Sequence, residues 1–305
     1  MKHFFIINPV AGHGKGVEII KEQVAHLEQT LQQEHEFHYY ITKKQHEATE
    51  LVEQICKTYT KERIRIFACG GDGTCFEVVN GLKGKSNVEM GIIPVGSCND
   101  FLKSFPDIPF LDLAAQIQGQ AIPVDFIRVN DEFALNVANF GFDAKVNHDQ
   151  IRYRHRFKTV KRAYNYALMK NIFSPQLGDT LTVTVDHQLL FQGKALLMTV
   201  ANAMYYGGGY KCAPLSDYQD GLLDVMVVKK ISPFTFIRLV KYYKKGEHLN
   251  HPRFAKFIAY QKGKHIEIDS KSDVVGCLDG ETRIGKHFEL EVVAKGLNFI
   301  LPQNK

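Results

Sequence analysis

The period of the hydrophobic positions changes near residue 125 of this 305-residue chain. Before that point, short apolar runs alternate with amphipathic stretches. KHFFIIN predicts a first strand, and GVEIIKEQVAHLEQTLQQ predicts a helix, because Val17, Ile20, Val24, Leu27 and Leu31 recur at three- and four-residue spacing. FHYYIT predicts a second strand and EATELVEQICKTY a second helix. RIRIFAC predicts a third strand, CFEVVNGL a third helix and EMGIIPVG a fourth strand. Strands alternating with helices imply a parallel sheet with helices on both faces.

After IPVDFIRVN the rhythm becomes that of strands alone, in DTLTVTVD, KALLMTVANA, GLLDVMVVK, KHIEIDS and HFELEVVA. In TLTVTV, Leu181, Val183 and Val185 share one face and the threonines the other, as in a half-buried antiparallel strand. The expectation is an α/β domain followed by a mostly β domain, with no internal repeat or long linker between them.

Three predicted strand ends of the first domain run into glycine-bearing turns: INPVAGHGKG, GGDGT at 70–74 and IPVGSCNDF. In an open parallel sheet, ligands bind where such turns gather, at the carboxyl ends of the strands. A turn from a strand into a helix N-terminus also points backbone N–H groups and the positive end of the helix dipole at one place, which suits phosphate. Asp72 belongs beside phosphate only with a divalent cation between them. Thr74 is placed to cap the helix or donate to a phosphate oxygen, and Ser97 or Asn99 to cap the next one. Neither the Walker pattern GxxxxGK[ST] nor the dinucleotide pattern GxGxxG is present. Much farther on, CLDGE offers two carboxylates, Asp279 and Glu281, about a glycine.

Composition and charge narrow the class. With 45% hydrophobic residues the chain can bury a large core, and its six cysteines have no zinc-like spacing, which fits reduced thiols. The four-residue apolar run before Asn8 is too short for a signal peptide, and no long uncharged apolar run follows, so a cytoplasmic protein is expected. The net charge of +5 is uneven. Residues 1–150 hold 14 Lys and Arg against 20 Asp and Glu, and residues 151–305 hold 24 against 13. No zinc-finger, helix-turn-helix or RNP-like motif accompanies the basic half, so nucleic acid is not expected as a partner.

INPVAGHGKG, GGDGTCFEVVNGL, IPVGSCNDF, VDFIRVN, FALNVANFGFDAKV, GGGYKCAPLSDYQDGLLDV and LDGE resemble, in order, the blocks of the diacylglycerol kinase catalytic-domain family, whose bacterial soluble lipid kinases are related to sphingosine and ceramide kinases. The resemblance implies a three-layer α/β nucleotide-binding domain at 1–125, completed by about 286–305, and a β-sandwich lipid domain at 126–285. It implies ATP and Mg2+ as cofactors, with ATP in the cleft. Asn8, Gly12, Gly70, Gly71, Gly73, Thr74, Gly96, Ser97 and Asn99 would surround its phosphates and ribose. Asp279 would be the general base toward a lipid hydroxyl, diacylglycerol first among the acceptors. Asp72 and Glu281, supported by Asp100 and Asp125, would organise magnesium. Asp220, with Asp217 and the Leu222 carbonyl, would hold a structural magnesium, although Asp220-Gly221 also reads as a hairpin turn.

One block departs from the family. Where most relatives have Gly-Thr-Gly-Asn-Asp, this chain has Gly96-Ser97-Cys98-Asn99-Asp100, with Cys98 expected to be a small buried residue. Two other readings stand beside the lipid kinase: a soluble kinase of NAD or another small metabolite, since NAD kinases also carry GGDGT, and a non-catalytic lipid-binding or regulatory protein. The joint presence of Asp72, Asp279 and Glu281 favours a kinase.

Residues 150–178 contain seven Lys and Arg, no acid and many aromatics. Arg154, Lys158, Lys161 and Arg162 are the expected contacts with an anionic bilayer at the inner membrane face. A second basic stretch, at 229–264, holds ten Lys and Arg and the single acid Glu247. The sequence sets no oligomeric state; a homodimer is among those it permits.

Overall fold

The structure is a computed structural model that describes residues 1–31, 34–96, 98–174 and 177–303. The chain divides into two compact units, Met1–Phe126 with Val293–Lys305, and Ile127–Val292.

The first unit begins with β1 (Lys2–Ile7), α1 (Gly16–Leu31), β2 (Glu36–Ile41), α2 (Glu47–Thr58), β3 (Ile64–Cys69), α3 (Asp72–Leu82), β4 (Val88–Ile93) and α4 (Leu113–Gln118). The strands are parallel, with β1 between β2 and β3, and β4 on the far side of β3. β3 and β4 are buried along their whole length, which is why they read as unbroken apolar runs. The amphipathic stripe of α1 packs Ile20, Val24 and Leu27 against Phe5, Phe67 and Ile93 of the sheet. A buried ion pair joins β3 to β4: Arg65 Nε lies 2.7 Å from Glu89 Oε2. The same guanidinium donates to the carbonyls of Ile117 and Gly119 at the end of α4.

β5 (Gln120–Val129) leads from the first unit into the second. There follow β6 (Glu132–Ala134), β7 (Val137–Gly141), α5 (Phe142–Tyr153), α6 (Val160–Ile172), β8 (Asp179–Val185), β9 (Gln188–Ala201) and β10 (Leu223–Lys229). The chain continues through α7 (Pro233–Lys245), β11 (Ile258–Gly263), β12 (His265–Leu278) and β13 (Glu281–Leu301). The pairing in this unit is antiparallel. Each of the 14-residue strands β9 and β12 pairs with β8 over one part and with β7 over another. β8 buries Leu181, Val183 and Val185, the face its alternation predicts. Three helices, α5 to α7, were not read from the sequence within this mostly β unit. The end of β13 returns to the first unit and pairs parallel with β4, Asn298 opposite Glu89 and Phe299 opposite Met90.

Candidate active site

In the first unit, the loops after β1, β3 and β4 are stitched together at the carboxyl edge of the sheet. Asn8 N–H donates to Cys69 O at 3.1 Å, Gly70 N–H to Ile93 O at 3.2 Å, and Gly96 N–H to Gly70 O at 3.0 Å. The glycines serve this contact as well as any ligand, because a Cβ on Gly96 would lie 2.3 Å from the Gly71 backbone. Gly12 sits at φ +61°, in the single 3-10 turn Ala11–Gly14, a conformation open to glycine.

α3 starts at Asp72, three residues earlier than its apolar pattern suggested, so Asp72, Gly73 and Thr74 form its first turn. Thr74 therefore does not cap the helix. The N-cap is Gly71, with no side-chain cap, and the first-turn amides face the converging loops. The Thr74 hydroxyl instead lies 3.4 Å from Asn8 Nδ2. The element after β4 is one 3-10 turn, Asp100–Ser104, and its N-cap Asn99 is left-handed at φ +50° and makes no side-chain cap bond. Asn99 is buried, and its Oδ1 has no hydrogen-bond partner among the described residues. Ser97 lies outside the described residues. Cys98, expected to be a small buried residue, is exposed on the loop that follows β4.

Asp72 and Asp100 form an acid pair across two of these loops. Asp100 N–H donates to Asp72 Oδ1 at 2.9 Å, and Lys103 forms an ion pair with Asp100. Burial, then the adjacent Asp100 charge, push the Asp72 carboxyl above its ordinary range. Such a pair fits a divalent cation, whose charge would relieve both effects. Among the described residues no three His, Cys, Asp or Glu side chains form a preformed metal cluster. A magnesium ion at this pair would draw its other ligands from phosphate and water. Asp125, fully buried on β5, accepts the Lys295 N–H at 2.6 Å and so anchors the returning C-terminal strand.

In the second unit, Asp279 and Gly280 make the two-residue turn between β12 and β13, both at positive φ (+46° and +103°). The Asp279 carboxylate faces back onto the start of β7. It accepts N–H bonds from Leu135 at 2.6 Å, from Val137 at 2.8 Å and, on both oxygens, from Asn136 at 3.2 Å. Glu281, half-buried, opens β13 and helps to hold the charge of Arg283, whose guanidinium is forked onto Glu132.

The residues implied for a structural magnesium lie together, but an ammonium is already among them. Lys262 Nζ is 2.7 Å from Asp220 Oδ2 and 3.3 Å from buried Asp224. The other Asp220 oxygen takes the Leu222 N–H at 3.0 Å, and Asp217 takes the Gln219 N–H. A magnesium ion at Asp220 would have to displace this ammonium, as one at Asp100 would have to displace Lys103. Arg154, Lys158, Lys161 and Arg162 are all exposed on the surface from the end of α5 through α6.

Sequence reading did not single out Asp143, Asn147, Tyr206 or Lys262. Asp143 had a detectable signal, the single acid within NFGFDAKV.

The family model described as diacylglycerol kinase catalytic domain matches residues 2–129. A model described as YegS C-terminal NAD kinase beta sandwich-like domain matches residues 136–301. A diacylglycerol kinase of Bacillus subtilis (strain 168) is 31% identical over 306 residues, covering 98% of this chain and 96% of the relative. The crystal structure of a diacylglycerol kinase from Bacillus anthracis str. Sterne is similar with a TM-score of 0.71 at 25% identity, covering 98% of this chain and 96% of that one. An NAD kinase from Archaeoglobus fulgidus in complex with ATP has a TM-score of 0.51 at 14% identity, covering 100% and 94%, a likeness of fold alone.

Proposed function

Since the chain belongs to the bacterial diacylglycerol kinase family, we propose that it transfers the γ-phosphoryl group of ATP to a lipid hydroxyl, that of diacylglycerol, at the inner face of the membrane. The observation that carries this reading is the convergence of three strand-end loops on the side-chain-uncapped N-terminus of α3. Amide donors and a helix dipole there suit a polyphosphate. Asn8, Gly12, Gly70, Gly71, Gly73, Thr74, Gly96 and Asn99 surround the nucleotide. The unpartnered Asn99 Oδ1 supplies an acceptor for one of its N–H or O–H groups.

Asp72 and Asp100 are the carboxylates that would hold Mg2+. When bound, the ion neutralises phosphate charge and helps to orient the transferred group. Asp279 is the general base. Its carboxylate, aimed by three backbone donors, takes the proton of the lipid hydroxyl while the lipid oxygen bonds to the γ-phosphorus. The bond from that phosphorus to the bridging oxygen breaks, and ADP leaves with the electron pair.

The exposed face of α6 supports docking on an anionic bilayer. Val160, Tyr166, Met169 and Phe173 stand out of the surface among Lys158, Lys161 and Arg162. Phe173 also borders a groove of about 440 Å³ that continues to Ile231 and Pro233, at the start of α7, where Phe234 is 71% exposed. No described helix is long and apolar enough to cross a membrane.

The reading is tested by incubating the protein with labelled ATP, magnesium and a total lipid extract, beside a parallel reaction with NAD. Label is expected in a diacylglycerol-derived phospholipid. Label in NAD, or in no lipid, would overturn it.

A further inference from the structure

Helix α5 carries two polar side chains four residues apart, on one face, that the proposed chemistry has not used. Asn147 donates its Nδ2 to the carbonyl of Gly280 at 2.7 Å and lies 3.3 Å from Cys277 Sγ. Asp143 is bonded by the side chain of Asn139, which stands opposite Cys277 in the β7–β12 ladder. It also takes the Tyr206 hydroxyl at 2.7 Å and the Ala144 N–H at 3.0 Å. The Tyr206 hydroxyl continues to Tyr243 at 3.3 Å, and Tyr243 to Thr199 at 3.4 Å. α5 therefore grips the β7–β12 ladder at Asn139 and the turn beyond it at Gly280. Asp279 is the other residue of that turn, and its carboxylate rests on the amides that open β7.

A half-buried carboxylate at the end of a chain of hydroxyls is costly to keep unless the arrangement does something. We propose that Asp143 and Asn147 are positioning residues for phosphoryl transfer, through which α5 holds the Asp279 turn at the angle its carboxylate needs to meet the acceptor hydroxyl. This rests on the reading of Asp279 as general base.

The clamp has a pH signature. Burial lifts Asp143 to about 6 against the hydrogen bonds from Tyr206 and Asn139, which hold it down. The groups that feel its charge are Tyr206 from the 202–222 loop, Tyr243 from α7, Tyr164 from α6 and Cys277 from β12. Cys277 is pushed up to about 12 by its own burial, and burial raises the three tyrosines, so these four stay neutral below pH 8. On α5 itself, Lys145 is paired with Asp179, and Asp149 with Lys170. Protonation turns one Asp143 oxygen from acceptor to donor, which breaks its match to Tyr206 or Asn139.

The test is steady-state kinetics on a short-chain diacylglycerol in detergent micelles, from pH 5 to 8, for Asn147→Ala, Asn147→Gln, Asp143→Asn, Tyr206→Phe and Asp279→Asn. Asn147→Ala is expected to lower kcat by about 10- to 100-fold, the scale of a small misplacement at a reacting centre, with both KM values within about twofold. Asn147→Gln should recover part of the loss. Wild type should lose kcat below about pH 6. Asp143→Asn should flatten that limb, and Tyr206→Phe, which removes a donor to the anion, should move it upward. Wild-type kcat in Asn147→Ala, or a limb unmoved by Tyr206→Phe, would overturn the clamp, and the Tyr206→Phe arm decides even if Asp143→Asn does not fold. Wild-type turnover in Asp279→Asn would instead remove the base reading itself, whatever the α5 variants do.

Discussion

The carboxylate of Asp279 accepts the backbone N–H of Leu135, 144 residues earlier in the chain, at 2.6 Å. The proposed base is thus also a structural acceptor, and substitution there acts twice. Asp279→Asn replaces one acceptor oxygen by an NH2 group facing backbone donors, which costs about 1–3 kcal/mol of stability. It also removes the base, which lowers turnover by roughly 10² to 10⁴. Thermal melting and single-turnover kinetics on the same sample separate the two effects. A stable variant with normal turnover would take Asp279 out of the chemistry.

Lys262 holds Asp220 and Asp224 as a cation would. The melting temperature of the wild type, without nucleotide, is therefore expected not to respond to Mg2+. Lys262→Met should melt lower and regain stability as Mg2+ is added, since an ion bound only by the folded state stabilises it. A wild-type magnesium response that Asp220→Ala abolishes would show that the ammonium gives way to the metal.

Lys158 and Lys161 are exposed beside the apolar face of α6. A basic side chain near an anionic surface contributes about 1 kcal/mol, within a Debye length of about 8–10 Å. Reversing both to Glu should weaken binding to anionic vesicles and raise the apparent KM for vesicle lipid. Turnover on a water-soluble, short-chain analogue should hold. Equal loss on both substrates would leave these lysines as an ordinary solvated face.

Acid is expected to destabilise the protein through two buried histidines. Burial lowers His248, beside Tyr243 and Phe254, to about 4, and His3 to about 3. Both are neutral in the fold, whereas the unfolded chain takes up these protons near pH 6.5. The stability they contribute is full above pH 6.5 and falls as the pH drops through the window to about 4 and about 3. By pH 4 the His248 share is roughly 3 kcal/mol. Asp143, raised to about 6, works the other way: its burial cost is relieved below pH 6. His248→Gln should flatten the fall of melting temperature between pH 7 and 5, and an unchanged slope would exclude His248 as a source.

The layout of the first unit was legible because its signals are local. Ile20, Val24 and Leu27 fall on one helical stripe, and IRIFAC is a wholly buried strand. The GGDGT turn was legible too, though not where its helix begins, since Gly71 caps α3 without a side chain to announce it. What sequence did not reveal depends on residues far apart in the chain. Lys262 meets Asp220 across 42 positions, Asn147 meets Gly280 across 133, and Lys295 meets Asp125 across 170. Cys98 was misjudged for a related reason: small cysteines are commonly buried, but the exposure of a loop residue is set by how its neighbours fold back.

The return of β13 to the first sheet has a consequence for biosynthesis. Phe299, wholly buried against Phe101, Phe105 and Phe110, is translated only after the whole of the second unit. While the ribosome is still making the second unit, the edge of β4 and that aromatic cluster await their partner. The first unit, although begun first, is completed only after the second, and a nascent chain stopped short of residue 298 exposes an open sheet edge to whatever chaperone or neighbouring strand reaches it first.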